Sequence, residues 1–86
     1  IETLRALEPL LMAQQRYTEL AQAWADYMVL GPEHQGEAAA RAAIAFHHAG
    51  DPNNAQLFLR MAQRYGYEDP IVIEAQQMID ANAEQP

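Results

Sequence analysis

Apolar residues recur at helical spacing along most of the chain. Leu10, Ala13, Tyr17, Leu20, Trp24 and Tyr27 form one stripe, Ala39, Ala42, Ala43 and Phe46 a second, and Ala55, Leu59 and Ala62 a third. Further on, Ile71, Val72, Ala75, Met78 and Ile79 fall on one side of a helix, with Glu74, Gln77 and Asp80 on the other. No stretch alternates with the period of two that a half-buried strand requires. The pattern predicts an all-α chain.

Punctuation divides these stripes. Asp51-Pro52 and Asp69-Pro70 read as helix starts: aspartate accepts hydrogen bonds from the free N–H groups of a first turn, and proline at the first helical position forfeits none. Gly50 and Gly66 precede them as helix ends, where glycine takes the left-handed conformation at little cost. Leu30-Gly31-Pro32 marks a third break, with Gly36 opening an alanine-rich run. Helices are thus predicted near 36–49, 52–65 and 70–82, with a helical region from about 3 to 30. Two readings of that region stand. Either the chain turns at Gln14-Gln15-Arg16, or one long helix runs from Pro9 to Leu30 in a compact bundle, since neither glycine nor proline interrupts 14–16. Pro9 would cost a helix interior roughly 3 kcal/mol unless it sits in a first turn or at a kink.

Composition narrows the chemistry. At 86 residues there is room for one core. Cysteine is absent, which removes disulfides, thiolate metal sites and cysteine nucleophiles, and fits periplasm and cytoplasm equally. The net charge is −7 and the basic residues are Arg5, Arg16, Arg41, Arg60 and Arg64, scattered rather than gathered into the basic face that nucleic acid requires. No apolar run approaches the ~20 residues of a membrane span. The sequence opens at Ile1 and enters helical pattern at once, so it reads as a piece of a longer protein.

Candidate catalytic chemistry is sparse. His47 and His48 are adjacent and point about 100° apart on a helix, so they do not form the i, i+4 pair that would chelate a metal, and His34 stands alone. Glu33, Glu37, Asp51, Glu68, Asp69 and Glu74 crowd around helix starts, where negative charge favours the helix dipole. No nucleophile triad, phosphate-cradling loop or dinucleotide fingerprint is present. The expectation is a non-enzyme with no cofactor and no metal. Tyr17, Trp24, Tyr27, Phe46, Phe58, Tyr65 and Tyr67 sit mostly at core spacing, with Tyr67 the best placed for exposure.

Aligned with itself at an offset of 35, the chain repeats. Leu4, Leu7 and Leu11 meet Ala39, Ala42 and Phe46; Gln15 meets Gly50, Leu20 meets Ala55 and Trp24 meets Leu59. A period near 34 residues with large, small and aromatic residues at fixed offsets resembles the tetratricopeptide repeat family. Ala39-x-x-Ala42-Ala43-x-x-Phe46 resembles its first helix, Gly50 its turn, and Ala55, Leu59 and Ala62 its second helix. The first unit follows through Leu4, Leu7, Leu11, Tyr17, Trp24 and Pro32, but carries Glu8 at a small-residue slot, Pro9, and Gln15 in place of the turn glycine. The resemblance implies antiparallel helix hairpins in a right-handed superhelix, with repeats over 1–34 and 35–67 and a capping helix over 70–83.

A second stripe of the alanine-rich helix reads Glu37, Ala40, Arg41, Ile44, His47 and His48, where a large apolar Ile44 among polar neighbours is uneconomic for a purely solvated face. The matching stripe of the first unit is Glu2, Arg5, Pro9 and Met12. In proteins of the family this face lines a concave groove, so Arg5, Met12, Glu37, Ala40, Arg41, Ile44, His47 and His48 are the candidate partner-binding residues. Some members clamp a carboxylate with lysines and asparagines; this chain has no lysine, and Asn53 and Asn54 lie on a second helix. The expected function is a protein-interaction scaffold that takes a peptide or partner helix. The alternatives are an accessory domain of a larger enzyme and a homo-oligomer formed through an exposed stack end. The alanine- and arginine-rich, lysine-free composition suggests a bacterial source, and the family a home in envelope assembly or secretion.

Overall fold

The computed structural model describes residues 2–30, 34–66 and 68–83; the break anticipated at Gly31-Pro32 and the loop residue Tyr67 lie outside them. Five helices follow one another: α1 (Glu2–Ala13), α2 (Tyr17–Leu30), α3 (Gln35–His48), α4 (Pro52–Gly66) and α5 (Pro70–Ala83), with no strand among the described residues. Their boundaries fall within a residue or two of the predicted ones.

The region 14–16 is a turn, which removes the single long helix from Pro9 to Leu30. Gln15 is left-handed at φ 59°, its N–H donates to the Met12 carbonyl at 3.0 Å, and the Arg16 N–H donates to the Leu11 carbonyl at 2.9 Å. This pair of bonds is a Schellman closure. It recurs after α3, where Gly50 is left-handed at φ 78°, its N–H donates to His47 O at 3.1 Å, and the Asp51 N–H donates to Phe46 O at 3.0 Å. The next helices begin alike: Leu20 N–H donates to Arg16 O and Ala55 N–H to Asp51 O. Every one of these bonds has its counterpart 35 residues on, as do the end of α1 and the end of α3, and the starts of α3 and α5. The backbone therefore repeats with the period of the side chains.

Both Asp-Pro starts are capped as expected. Asp51 accepts from the Asn54 N–H at 3.2 Å, and Asp69 from the Ile71 N–H at 3.0 Å. Gly66 differs from expectation: among the described glycines only Gly50 has positive φ, so Gly66 does not end α4 by turning left-handed. It is the last helical residue and lies against Gly36, whose own Cβ, if present, would come within 3.2 Å of the Gly66 Cα and N. The glycines let the start of α3 cross the end of α4 at backbone distance.

The helix α3 is the centre of the molecule. It packs on α2, α4 and α5, whereas the backbone of α1 comes close only to that of α2 among the described residues. Gly36, Ala38, Ala39, Ala40, Ala42, Ala43, Ala45 and Phe46 are all buried, and their small side chains let three neighbours close in. The volume is filled by Trp24, Leu20 and Val72, with Leu59 and Ile79, and Phe46 stacks on Phe58 at 5.3 Å between ring centroids. No residue of α1 is buried; Leu4, Leu11 and Met12 lean on the core, but Leu7 and Leu10 are exposed. Leu7 thus leaves the core set that the repeat suggested, because none of the described residues covers the outer side of α1. Tyr65 is likewise exposed. Pro9 is exposed within the continuous helix α1, where its ring nitrogen cannot donate to the Arg5 carbonyl. The radius of gyration is 11.7 Å, close to the roughly 12 Å expected of a compact chain this long.

Candidate functional site

A groove runs between α1 and α5 with α3 as its floor. It consists of two depressions, of about 370 and 320 Å³, which share Arg41, Ile71 and Glu74 and so run together. The first is lined by Arg5, Glu37, Arg41, Asp69, Pro70, Ile71 and Glu74. The second adds Glu8, Met12, Ile44, His48 and Met78.

Charge organises its α1 side. The Arg5 guanidinium grips both oxygens of Glu37, with Nε at 2.9 Å and Nη2 at 2.5 Å. Arg41, one turn along α3, donates from Nε to the same carboxylate at 2.8 Å and from Nη1 to Glu8. The chain Arg5–Glu37–Arg41–Glu8 is what joins α1 to α3, whose backbones do not otherwise meet among the described residues. Glu37 is 11% exposed, and the bond from Arg5, with a second from Arg41, holds its carboxyl down to about 2 against the opposing pull of burial. The Arg41 guanidinium also lies 5.5 Å from the centre of the Trp24 ring, whose buried indole N–H has no acceptor among the described residues.

Six of the eight candidate residues line this groove: Arg5, Met12, Glu37, Arg41, Ile44 and His48. Ala40 does not contribute surface. It is fully buried, one position round the helix from the groove, so it belongs to the core. His47 is half-buried and lines neither depression; its ring meets His48 edge-on, and burial followed by the proximity of His48 pushes its pKa down. His48 in turn packs on Tyr17 at 5.4 Å. Of the first unit's stripe, Glu2 and Pro9 are exposed and lie outside both depressions.

Two groups of groove residues were not anticipated. Glu8, out of place in a small-residue slot, is there to meet Arg41; the complementary charges at Arg5, Glu8, Glu37 and Arg41 on neighbouring units were the available signal. Helical spacing puts Ile71 and Met78 on the sealing side of α5, and Glu74 on its solvated side near a helix start. Val72, Ala75 and Ile79 do the sealing, Ile71 and Met78 are half-buried along the groove, and Glu74 lies beyond the first turn of α5, facing the groove.

Among the described residues no group of three histidine, aspartate or glutamate side chains is arranged to hold a metal ion, and no helix is long and apolar enough to cross a membrane. No family model, no curated protein and no solved structure matches the chain.

Proposed function

We propose that this chain is a non-catalytic protein-interaction scaffold of the tetratricopeptide type, which holds a peptide or a partner helix in the groove between α1 and α5. The observation that carries the reading is the groove itself: α1, α3 and α5 line one continuous surface of apolar and charged groups, and α3 and α5 start 35 residues apart. The repeated Schellman turns support the family likeness, because each hairpin is closed by the same backbone bonds. A home in bacterial envelope assembly or secretion belongs to the same proposal and rests on composition and resemblance alone.

A photo-crosslinking amino acid at Met12, in the groove, and another at Leu57, on the exposed face of α4, tests the reading in the native cells. The expected result is a discrete protein adduct from position 12 and none from position 57. Equal labelling from both, or none from position 12, contradicts it.

Self-association is the second reading, favoured by Leu7 and Leu10 on the outer side of α1, 40% and 58% exposed. Light scattering decides it: mass that rises with concentration in the wild type, and not in Leu7→Gln/Leu10→Gln, supports a homo-oligomer, and a constant monomer mass removes it.

A further inference from the structure

Both arginines of the groove are spent on its own acids. Arg5 is held by Glu37, and Arg41 by Glu37 and Glu8. A groove that contains arginine therefore has no unpaired guanidinium with which to grip a carboxylate or phosphate. Its acids are in excess, with four carboxylates (Glu8, Glu37, Asp69 and Glu74) against two guanidiniums.

Of the four, Asp69 caps α5 and two are in the ion-pair chain. Glu74 is left. It is exposed, borders both depressions, and has no hydrogen-bond or ion-pair partner among the described residues. Around it stand Met12, Ile44, Ile71 and Met78, all half-buried, with their accessible parts along the same depression. Methionine and isoleucine side by side make an apolar surface that adapts to different aliphatic shapes.

We propose that the groove selects a polypeptide segment in which an aliphatic side chain lies close to a lysine or arginine. The aliphatic group sits on Met12, Ile44, Ile71 and Met78, and the cation pairs with Glu74. The chain's net charge of −7 draws such a segment in and repels an acidic one. This inference rests on the groove being the binding surface, and adds the chemistry of the occupant.

The probe is a displayed library of random short linear peptides, selected on the wild-type protein, with the enriched sequences synthesised and titrated. Enriched peptides are expected to carry lysine or arginine beside an aliphatic residue, and Glu74→Gln is expected to weaken them by roughly two- to fivefold, as an exposed ion pair allows. Asp26→Asn removes the same charge from the exposed face of α2 and is expected to leave affinity unchanged, which separates local pairing from net charge. Both residues are exposed, so both variants keep the fold. Acidic or uncharged winners that lose binding in Met12→Ser overturn the cationic class and leave the groove reading intact. Cationic winners indifferent to Glu74→Gln overturn the assignment of the pairing residue. Winners indifferent to both Glu74→Gln and Met12→Ser, or no winners at all, overturn the inference together with the groove reading beneath it.

Discussion

Gln15 and Gly50 hold the same left-handed conformation at the same place in two successive turns, but only Gly50 does so without a Cβ. The left-handed region costs a residue with a side chain about 1 kcal/mol. Gln15→Gly is therefore expected to raise the free energy of unfolding by about 0.5–1 kcal/mol, and Gly50→Ala to lower it by about 1 kcal/mol, both read from denaturant midpoints. A Cβ at Gly50 would meet nothing within 4 Å, so that second cost is conformational alone. Glu37 gives a second residue-scale expectation. Its folded pKa of about 2 lies below the ordinary 4.5, so the network's contribution, about 1–2 kcal/mol after allowing for partial solvation, is complete above pH 4.5 and is lost as pH falls towards 2. The stability difference between wild type and Glu37→Gln, followed by thermal melting across this range, is expected to shrink with acid; a constant difference contradicts the ion-pair account.

At the scale of elements, the crossing of α3 on α4 sets two glycines apart. A methyl group at Gly36 would press on the backbone of Gly66 at 3.2 Å, and backbone cannot step aside. Gly36→Ala is expected to cost about 1 kcal/mol net, overpacking outweighing the gain in helix propensity. Gly66→Ala meets only ordinary contacts and is expected to be neutral or slightly stabilising; a loss of about 1 kcal/mol there would mean that Gly66 is a left-handed cap after all. The pair also shows what could be read in advance. Helix starts at Pro52 and Pro70 were legible because capping is local: aspartate, proline and first-turn N–H groups lie within a few residues. The turn at Gln14–Arg16 was legible only through the repeat, since no residue there prefers the left-handed conformation. The role of Gly66 was not legible at all, because it depends on Gly36, thirty positions away in the chain. The groove divides in the same way. Helical spacing put Arg5 and Met12 on one stripe and Glu37, Arg41, Ile44 and His48 on another, and the family resemblance made those stripes a groove, while Glu8, Ile71 and Glu74 depend on how α1 and α5 are rotated about their axes.

For the whole molecule, the central position of α3 accounts for both stability and site. Its alanines and Phe46 bind α2, α4 and α5 into one core, and Glu37, Arg41, Ile44 and His48 face outward between α1 and α5. The helix α1 is the least anchored part, with no buried residue and an ion-pair chain as its link to α3, so one wall of the groove is its softest element. The most direct test of the groove as the binding surface is a map of backbone amide NMR shifts on addition of a peptide selected on this protein. The largest changes are expected at Met12, Arg41, Ile44, Glu74 and Met78, with Leu57, Arg60 and Arg64 on α4 silent. Changes concentrated on α4, or on the outer side of α1 at Leu7 and Leu10, would contradict it.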